Sequence, residues 1–270
     1  MKTVSVVIPV YKHSPTEDEI LSINQTLTIL GHYDITIVCP EGMDIKVYSS
    51  ICKEHCVQPI VRRFQKPFFK GIEGYNRLLL SEIFYNQFEE YEYILICQPD
   101  AYIFRDELQV WCDKKYDYIG APLIGNYTDD FFSMNMRIGN GGLSLRKVSC
   151  YRQFFQSKKN VFTYRQIVNI IGLKRKPYTR VLIWLLMLLG WRNKPSSVAG
   201  RWKYNEDEFW SGLLDKSRFA LSKPEPLEAI QFSFERFPVE LFELNNHRLP
   251  FGCHAWRKYQ YDSFWKRYLG

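Results

Sequence analysis

Four short stretches of this chain combine residue types that can do chemistry. In "CQPDAYIF" a carboxylate, Asp100, breaks an otherwise apolar run, and Gln98 stands two residues before it. Residues two apart point to one side of a strand, so Gln98 and Asp100 can face one ligand. Oxygen donors of this kind suit a hard divalent cation that bridges phosphates. The plainer reading is an aspartate satisfied by backbone donors at a turn. "IGNGGLSLR" sets Gly139, Gly141 and Gly142 around Asn140. Without side chains there, backbone can approach a ligand closely, although such a run also makes an ordinary turn. "NEDEFW" places Glu206, Asp207 and Glu208 in a row, hemmed by Trp202, Phe209 and Trp210. On a helix Asp207 and Trp210, three apart, share a face. An aromatic wall beside a carboxylate can stack on a sugar and take its hydroxyl proton; the bland reading is a solvated charge run. "LPFGCHAW" holds His254, open between a zinc ligand, a core histidine and the third ligand of a magnesium or manganese site. "CKEHC" lacks the spacing of a structural zinc site, and on a helix its Cys52 and Cys56 pack inward.

Apolar periodicity defines the elements that must position these residues. Residues 3–11, "TVSVVIPVY", read as a strand buried on both faces. "DEILSINQTLTIL" repeats Ile20, Ile23, Leu27 and Leu30 at the helical period. "YDITIVCP" and "VQPIVRRF" are further strands around a helix in "MDIKVYSSICKEHC". A helix over 71–88 follows, its stripe formed by Leu79, Ile83 and Phe84 or Tyr85, and "YEYILICQPDAYIF" is a fourth strand with its exit. Strands alternating with helices of this length predict βαβ units and a largely parallel sheet. Such sheets bind ligands at the carboxyl ends of their strands, where Asp100 falls. "YDYIGAPLI" then reads as a strand and turn, and "GNGGLSLRKVSCYRQFF" as turn, strand and helix.

The charge is unevenly spread. Of the formal +7, residues 131–205 supply fifteen Lys or Arg and no Asp or Glu, so the rest of the chain is net negative. A field this lopsided favours an anionic partner such as a nucleotide, an anionic lipid surface or nucleic acid, against the plainer reading of lysine tails that solvate the surface. Residues 161–200 form a basic and apolar insertion around "VLIWLLMLLGW" at 181–191. As a helix that run is roughly 16 Å long, about half a bilayer's hydrocarbon core, and cannot span it alone. With Lys174, Arg175, Lys176, Arg180, Arg192 and Lys194 at its ends, 174–192 reads as a membrane-surface element, against a core helix or dimer contact. Seven scattered cysteines, an odd number, read as reduced thiols of a cytoplasmic protein, and "MKTVSVVIPV" as a first strand rather than a signal peptide.

The order of "QPDA", "IGNGG", "EDEFW" and "PFGCHAW" resembles nucleotide-sugar glycosyltransferases of the GT-A fold, most narrowly the bacterial DUF5672 group. The resemblance covers nearly all of the chain outside 161–200. It implies a single domain over 1–270 with a Rossmann-like, mostly parallel sheet flanked by helices. Asp100 and His254 would hold Mn²⁺ or Mg²⁺, with Gln98 in place of a first aspartate. Pro9 and Tyr11 would line the base and ribose pocket with Asn76 and Arg77 nearby, and Gly141 and Gly142 would admit the donor sugar. Asp207 would be the base of an inverting transfer, Glu206 would position the hydroxyl, Glu208 would stand as a substitute base, and Trp210 would stack on the acceptor. The implied acceptor is a glycan or a lipid-linked glycan of the cell envelope, with the enzyme peripheral on the inner membrane face and no nucleic-acid partner. A nucleotidyltransferase or other nucleotide-sugar enzyme is the alternative, but "PVYKHSPTEDE" lacks the glycine-rich loop such enzymes carry after strand one. A non-catalytic membrane or nucleic-acid binder would leave the strand-end carboxylates unexplained.

Overall fold

The computed structural model describes residues 1–124, 136–171, 184–185 and 192–269. Most of the apolar run at 181–191, and most of the surface element expected at 174–192, lie outside them. The chain folds as an α/β domain around a mixed, largely parallel sheet flanked by helices, the Rossmann-like GT-A arrangement expected. Its first half alternates β1 (Lys2–Pro9), α1 (Glu17–Leu30), β2 (Asp34–Pro40), α2 (Lys46–Glu54), β3 (Ile60–Phe64), α3 (Gly71–Leu79), α4 (Glu82–Asn86) and β4 (Tyr91–Cys97). After β5 (Ala101–Ile103) and α5 (Leu108–Asp113) come β6 (Tyr118–Gly120), the ribbon of β7 (Pro122–Ile124) and β8 (Met136–Ile138), then β9 (Leu143–Lys147) and α6 (Val148–Gln156). The main sheet runs β3-β2-β1-β4-β9-β6, with β9 antiparallel to both neighbours.

Both faces of β1 are buried, as the unbroken apolar run requires. Val4, Val6 and Ile8 pack towards α1 and α2, and Val7 packs towards α3 and α4. A capping box starts α1, with Thr16 Oγ1 accepting from Glu19 N–H while Glu19 returns the bond to Thr16 N–H. The helix expected over 71–88 breaks after Leu79, and Ser81 caps α4. The break shifts the phase, so Phe84 and Tyr85 are buried while Ile83 faces solvent. Cys52 packs inward as expected; Cys56 is exposed, because α2 has already ended and Cys56 sits at φ 59°.

Register brings the chemical residues together. Strand β4 stops at Cys97, since Pro99 has no N–H for a ladder. A turn closed by Ala101 N–H to Gln98 O, 2.8 Å, then carries Gln98 and Asp100 to one side, in place of strand alternation. Antiparallel β9 pairs Leu143 with Cys97, so Gly141 and Gly142 reach the same edge. A small sheet places β11 (Gly252–His254) between β10 (Ser233–Phe234) and β5, with His254 opposite Ala101.

Candidate active site

These edges enclose a cavity of about 640 Å³ lined by residues of β1, α3, the Gln98–Asp100 turn, the Asn140–Gly142 turn, the helical turn Glu206–Glu208, and the β10 and β11 strand ends. At one side the His254 imidazole is held at both nitrogens. Nε2 lies 3.1 Å from Gln98 Oε1 and 3.3 Å from Asp100 Oδ1, and Nδ1 lies 3.2 Å from Glu235 Oε1. Burial would lower the histidine pKa, but Asp100 and then Glu235 outweigh it and raise it to about 10. Burial likewise opposes the charge on Asp100, yet His254 above all, helped by the backbone and Lys12, leaves its pKa lowered. Gly142 is needed for this ring, since a Cβ there would stand 2.2 Å from Nε2.

Gln98 Oε1, Asp100 Oδ1 and His254 Nε2 thus converge, and Glu235 orients the ring as carboxylates do behind metal-ligating histidines. Among the described residues no group of three or more His, Cys, Asp or Glu is placed to hold a metal ion. Three donors are too few for an all-protein cage, so a cation here would draw the rest of its shell from phosphate and water oxygens, and Nε2, protonated beside Asp100, would first have to give up its proton.

Asp207 lines the same cavity from the helical turn, next to Gly141. Its Oδ1 accepts the Glu208 N–H at 2.7 Å and its Oδ2 the Gly141 N–H at 3.3 Å. Burial first, and the neighbouring Glu206 second, push its pKa up to about 7. A carboxylate titrating near neutrality is suited to taking a proton from a hydroxyl. Glu206 is buried in a two-pronged ion pair with Arg146, at 2.7 and 3.0 Å.

Pro9, Tyr11, Asn76, Gln98, Asp100, Gly141, Gly142, Glu206, Asp207 and His254 all line the cavity. Several expected roles do not survive. Trp210 is fully buried, packed on Tyr85, Tyr151 and Phe154 with its indole N–H given to Leu79 O, so it cannot stack on an acceptor. After Glu208 the helix widens into a π turn over Phe209–Leu213, which breaks the α spacing that would set Trp210 beside Asp207. Arg77 points to solvent and pairs with Glu73, and Glu208 is exposed outside the cavity lining. Asn76 lines the same cavity as Pro9 and Tyr11, and there it accepts the Glu206 N–H and reaches Asn205. The room left by Gly141 is filled by Glu206, and that left by Gly142 by His254, rather than kept for a sugar.

Other lining residues escaped the sequence reading. Glu235 reaches His254 only because β10 pairs with β11, Phe234 beside Cys253. Lys12, paired with Glu19 at 2.8 Å, and exposed Lys258 are the lysines of the lining. The Tyr75 hydroxyl is buried at the wall close to Gln98. None of these stands in a recognisable local pattern.

No curated protein matches the chain in sequence. Among solved structures, core-mannan synthase A (CmsA/Ktr4) from Aspergillus fumigatus, in its Mn/GDP form, is similar at TM-score 0.48 and 9% identity, over 80% of this chain and 70% of that one. The glycosyltransferase GlyE of Streptococcus pneumoniae TIGR4 aligns at TM-score 0.45 and 12% identity, over 94% of this chain and 54% of that one. S. aureus TarS 1-349 aligns at TM-score 0.37 and 13% identity, over 56% and 48%. The chain thus spans about half the length of the last two. A family model described as "Protein of unknown function (DUF5672)" matches residues 58–254, running through 161–200 and leaving out Pro9 and Tyr11. That match covers well over half of the sequence, and the chain belongs to the DUF5672 family.

Proposed function

We propose that this chain is a glycosyltransferase that moves a sugar from a nucleotide-diphosphate donor to a glycan or lipid-linked acceptor. The observation that carries the reading is one cavity that gathers Gln98, Asp100 and His254 together with a carboxylate whose pKa is pushed up to about 7. Pro9 and Tyr11 flank the nucleoside end, and Lys12 and Lys258 meet diphosphate charge. Gln98, Asp100 and, once its Nε2 proton is lost, His254 would hold Mn²⁺ or Mg²⁺, which when bound would offset negative charge gathering on the leaving diphosphate. Asp207 receives the proton of the acceptor hydroxyl as that oxygen bonds to the anomeric carbon. The carbon–diphosphate bond breaks with its electron pair going to the phosphate oxygen, and attack from the opposite face inverts the centre.

A thermal-shift screen of nucleoside diphosphates and nucleotide sugars, with and without Mn²⁺, tests this directly, because a ligand of the native state raises apparent stability. Some nucleotide sugar is expected to shift unfolding upward; a flat response across all bases sinks the reading. Calorimetry sharpens it. Mn²⁺ is expected to strengthen diphosphate binding, and Asp100→Asn to remove most of that gain. Equal binding in EDTA removes the cation from the reading and leaves Lys12 and Lys258 to neutralise the phosphates. Arg146 cannot take that role, being buried against Glu206.

The insertion at 161–200 is proposed to rest on the cytoplasmic face of an anionic membrane. No helix among the described residues is long and apolar enough to cross one. Trp184 and Leu185 are about half exposed, at 49% and 46%, and Lys158, Lys159, Arg165, Lys194, Arg201 and Lys203 are exposed cations in the same acid-free stretch. Wild type is expected to sediment with phosphatidylserine vesicles at low salt. A variant with Leu185, Leu186, Leu188 and Leu189 changed to Ser is expected to stay in solution. Wild type remaining in the supernatant makes the segment packing material.

A further inference from the structure

The Arg146–Glu206 pair takes no part in the reaction above, yet it is the most deeply buried charge in the site. The two side chains are 0% and 5% exposed. Burying an ion pair is costly unless its geometry is good and its remaining hydrogen-bonding capacity is met. Here it is met. The Arg146 Nη2 and Nη1 groups donate to Glu206 Oε1 and Oε2; Nη1 also reaches Tyr85 Oη at 3.1 Å; Nε donates to Ser144 Oγ at 3.0 Å; and Nη2 lies 3.5 Å from Gly141 O. The guanidinium sits 5.5 Å from the centre of the Tyr118 ring.

These contacts brace both sides of the corner that holds Asp207. Glu206 precedes Asp207 on the helical turn, and Gly141 donates its N–H to Asp207 Oδ2. A Cβ on Gly141 would meet Glu206 Oε1 at 2.5 Å and Asp207 Cβ at 3.5 Å, so the glycine turn, Glu206 and Asp207 are in contact. Arg146 lies on β9 and ties that corner to the central sheet. Asn76 adds a strut from α3 by accepting the Glu206 N–H at 3.3 Å.

We propose that the Arg146–Glu206 pair is a positioning element for Asp207, fixing its carboxylate at the cavity edge with the Glu206 charge beside it. The proposal rests on the reading of Asp207 as base. The groups that face Asp207 are Glu206 and Glu208 on its own segment, the Gly141 N–H, Arg146 from β9 and Tyr118 from β6; Tyr75 from α3, Asp100 and His254 share its cavity. Of the charges, Glu206 acts most strongly and raises the pKa, while Arg146 acts in the opposite sense and less.

The test reads the Asp207 carboxyl carbon by ¹³C NMR in a pH titration, with Asp207→Asn identifying the resonance, so no donor or acceptor is needed. Wild type is expected to titrate near 7. In Glu206→Gln the raising charge is gone and Arg146 is unopposed, so the midpoint is expected to fall by about one unit or more, a tenfold larger dissociation constant. Because that variant leaves a buried cation unpaired and can fail to fold, Arg146→Met/Glu206→Gln, with both charges removed, is titrated beside it. There the midpoint is also expected to fall, but less. A midpoint unchanged from wild type in the double variant, or in folded Glu206→Gln, overturns the proposal. A wild-type midpoint in the ordinary aspartate range instead counts against Asp207 as the base, which separates the two failures.

Discussion

Replacing Asp207 by Asn is expected to lower sugar transfer by roughly 10²–10⁴-fold while nucleotide binding stays close to that of wild type. The loss follows from removing a proton acceptor; the spared binding follows because Asp207 is not among the groups proposed to meet the nucleotide or its cation. The dependence on pH has a definite sign. Asp207 must be deprotonated to act, so turnover of the wild type is expected to rise with pH through about 7. Stability moves the other way. The native state holds this proton up to about 7, while the unfolded chain releases it near the ordinary aspartate value, so the native state binds more protons between the two. Unfolding free energy therefore falls as pH rises across that window. Asn at 207 carries no charge to bury, so the variant is expected to melt above wild type at pH 8 and close to it at pH 4. Unchanged turnover would remove Asp207 from the reaction. The structure offers no ready substitute, because Glu208 faces solvent and Glu206 is engaged by Arg146.

Much of this site was legible before any coordinates. The strand and helix periods of the first hundred residues fix which strand ends share an edge, and Asp100 falls at one of them. The glycine pair, the acidic run and His254 were each marked by residue type, and the fold gathers them into one cavity. What escaped the reading depends on pairings far apart in the chain. Glu235 meets His254 through the β10–β11 register, and Arg146 meets Glu206 across sixty residues. Neither contact leaves a local period or motif. The direction of Trp210 was misread for a different reason. A spacing of three places two residues on one face only while the helix stays α, and here it widens at Phe209. The glycines are expected to let a ligand approach the backbone, but the groups that fill their space are the protein's own carboxylate and imidazole.

Removing Arg146 alone is expected to be the most damaging single change to stability. Arg146→Met leaves the Glu206 carboxylate buried with its guanidinium gone, a situation that typically costs about 3–5 kcal/mol. It also takes a donor from Ser144 and Tyr85, both buried. Adding Glu206→Gln to the same chain removes the uncompensated charge, and most of the lost stability is expected to return, since neutral replacements of buried pairs are often tolerated. Urea unfolding of wild type, both single variants and the pair closes a double-mutant cycle, with the coupling read from the midpoints if the slopes agree. A large favourable coupling assigns the cost to unpaired charge. If the double variant is as unstable as Arg146→Met, the cost lies in the shape and hydrogen bonds of the guanidinium. Arg146 would then act as a brace between Ser144, Tyr85 and the glycine turn, with its charge incidental to the fold.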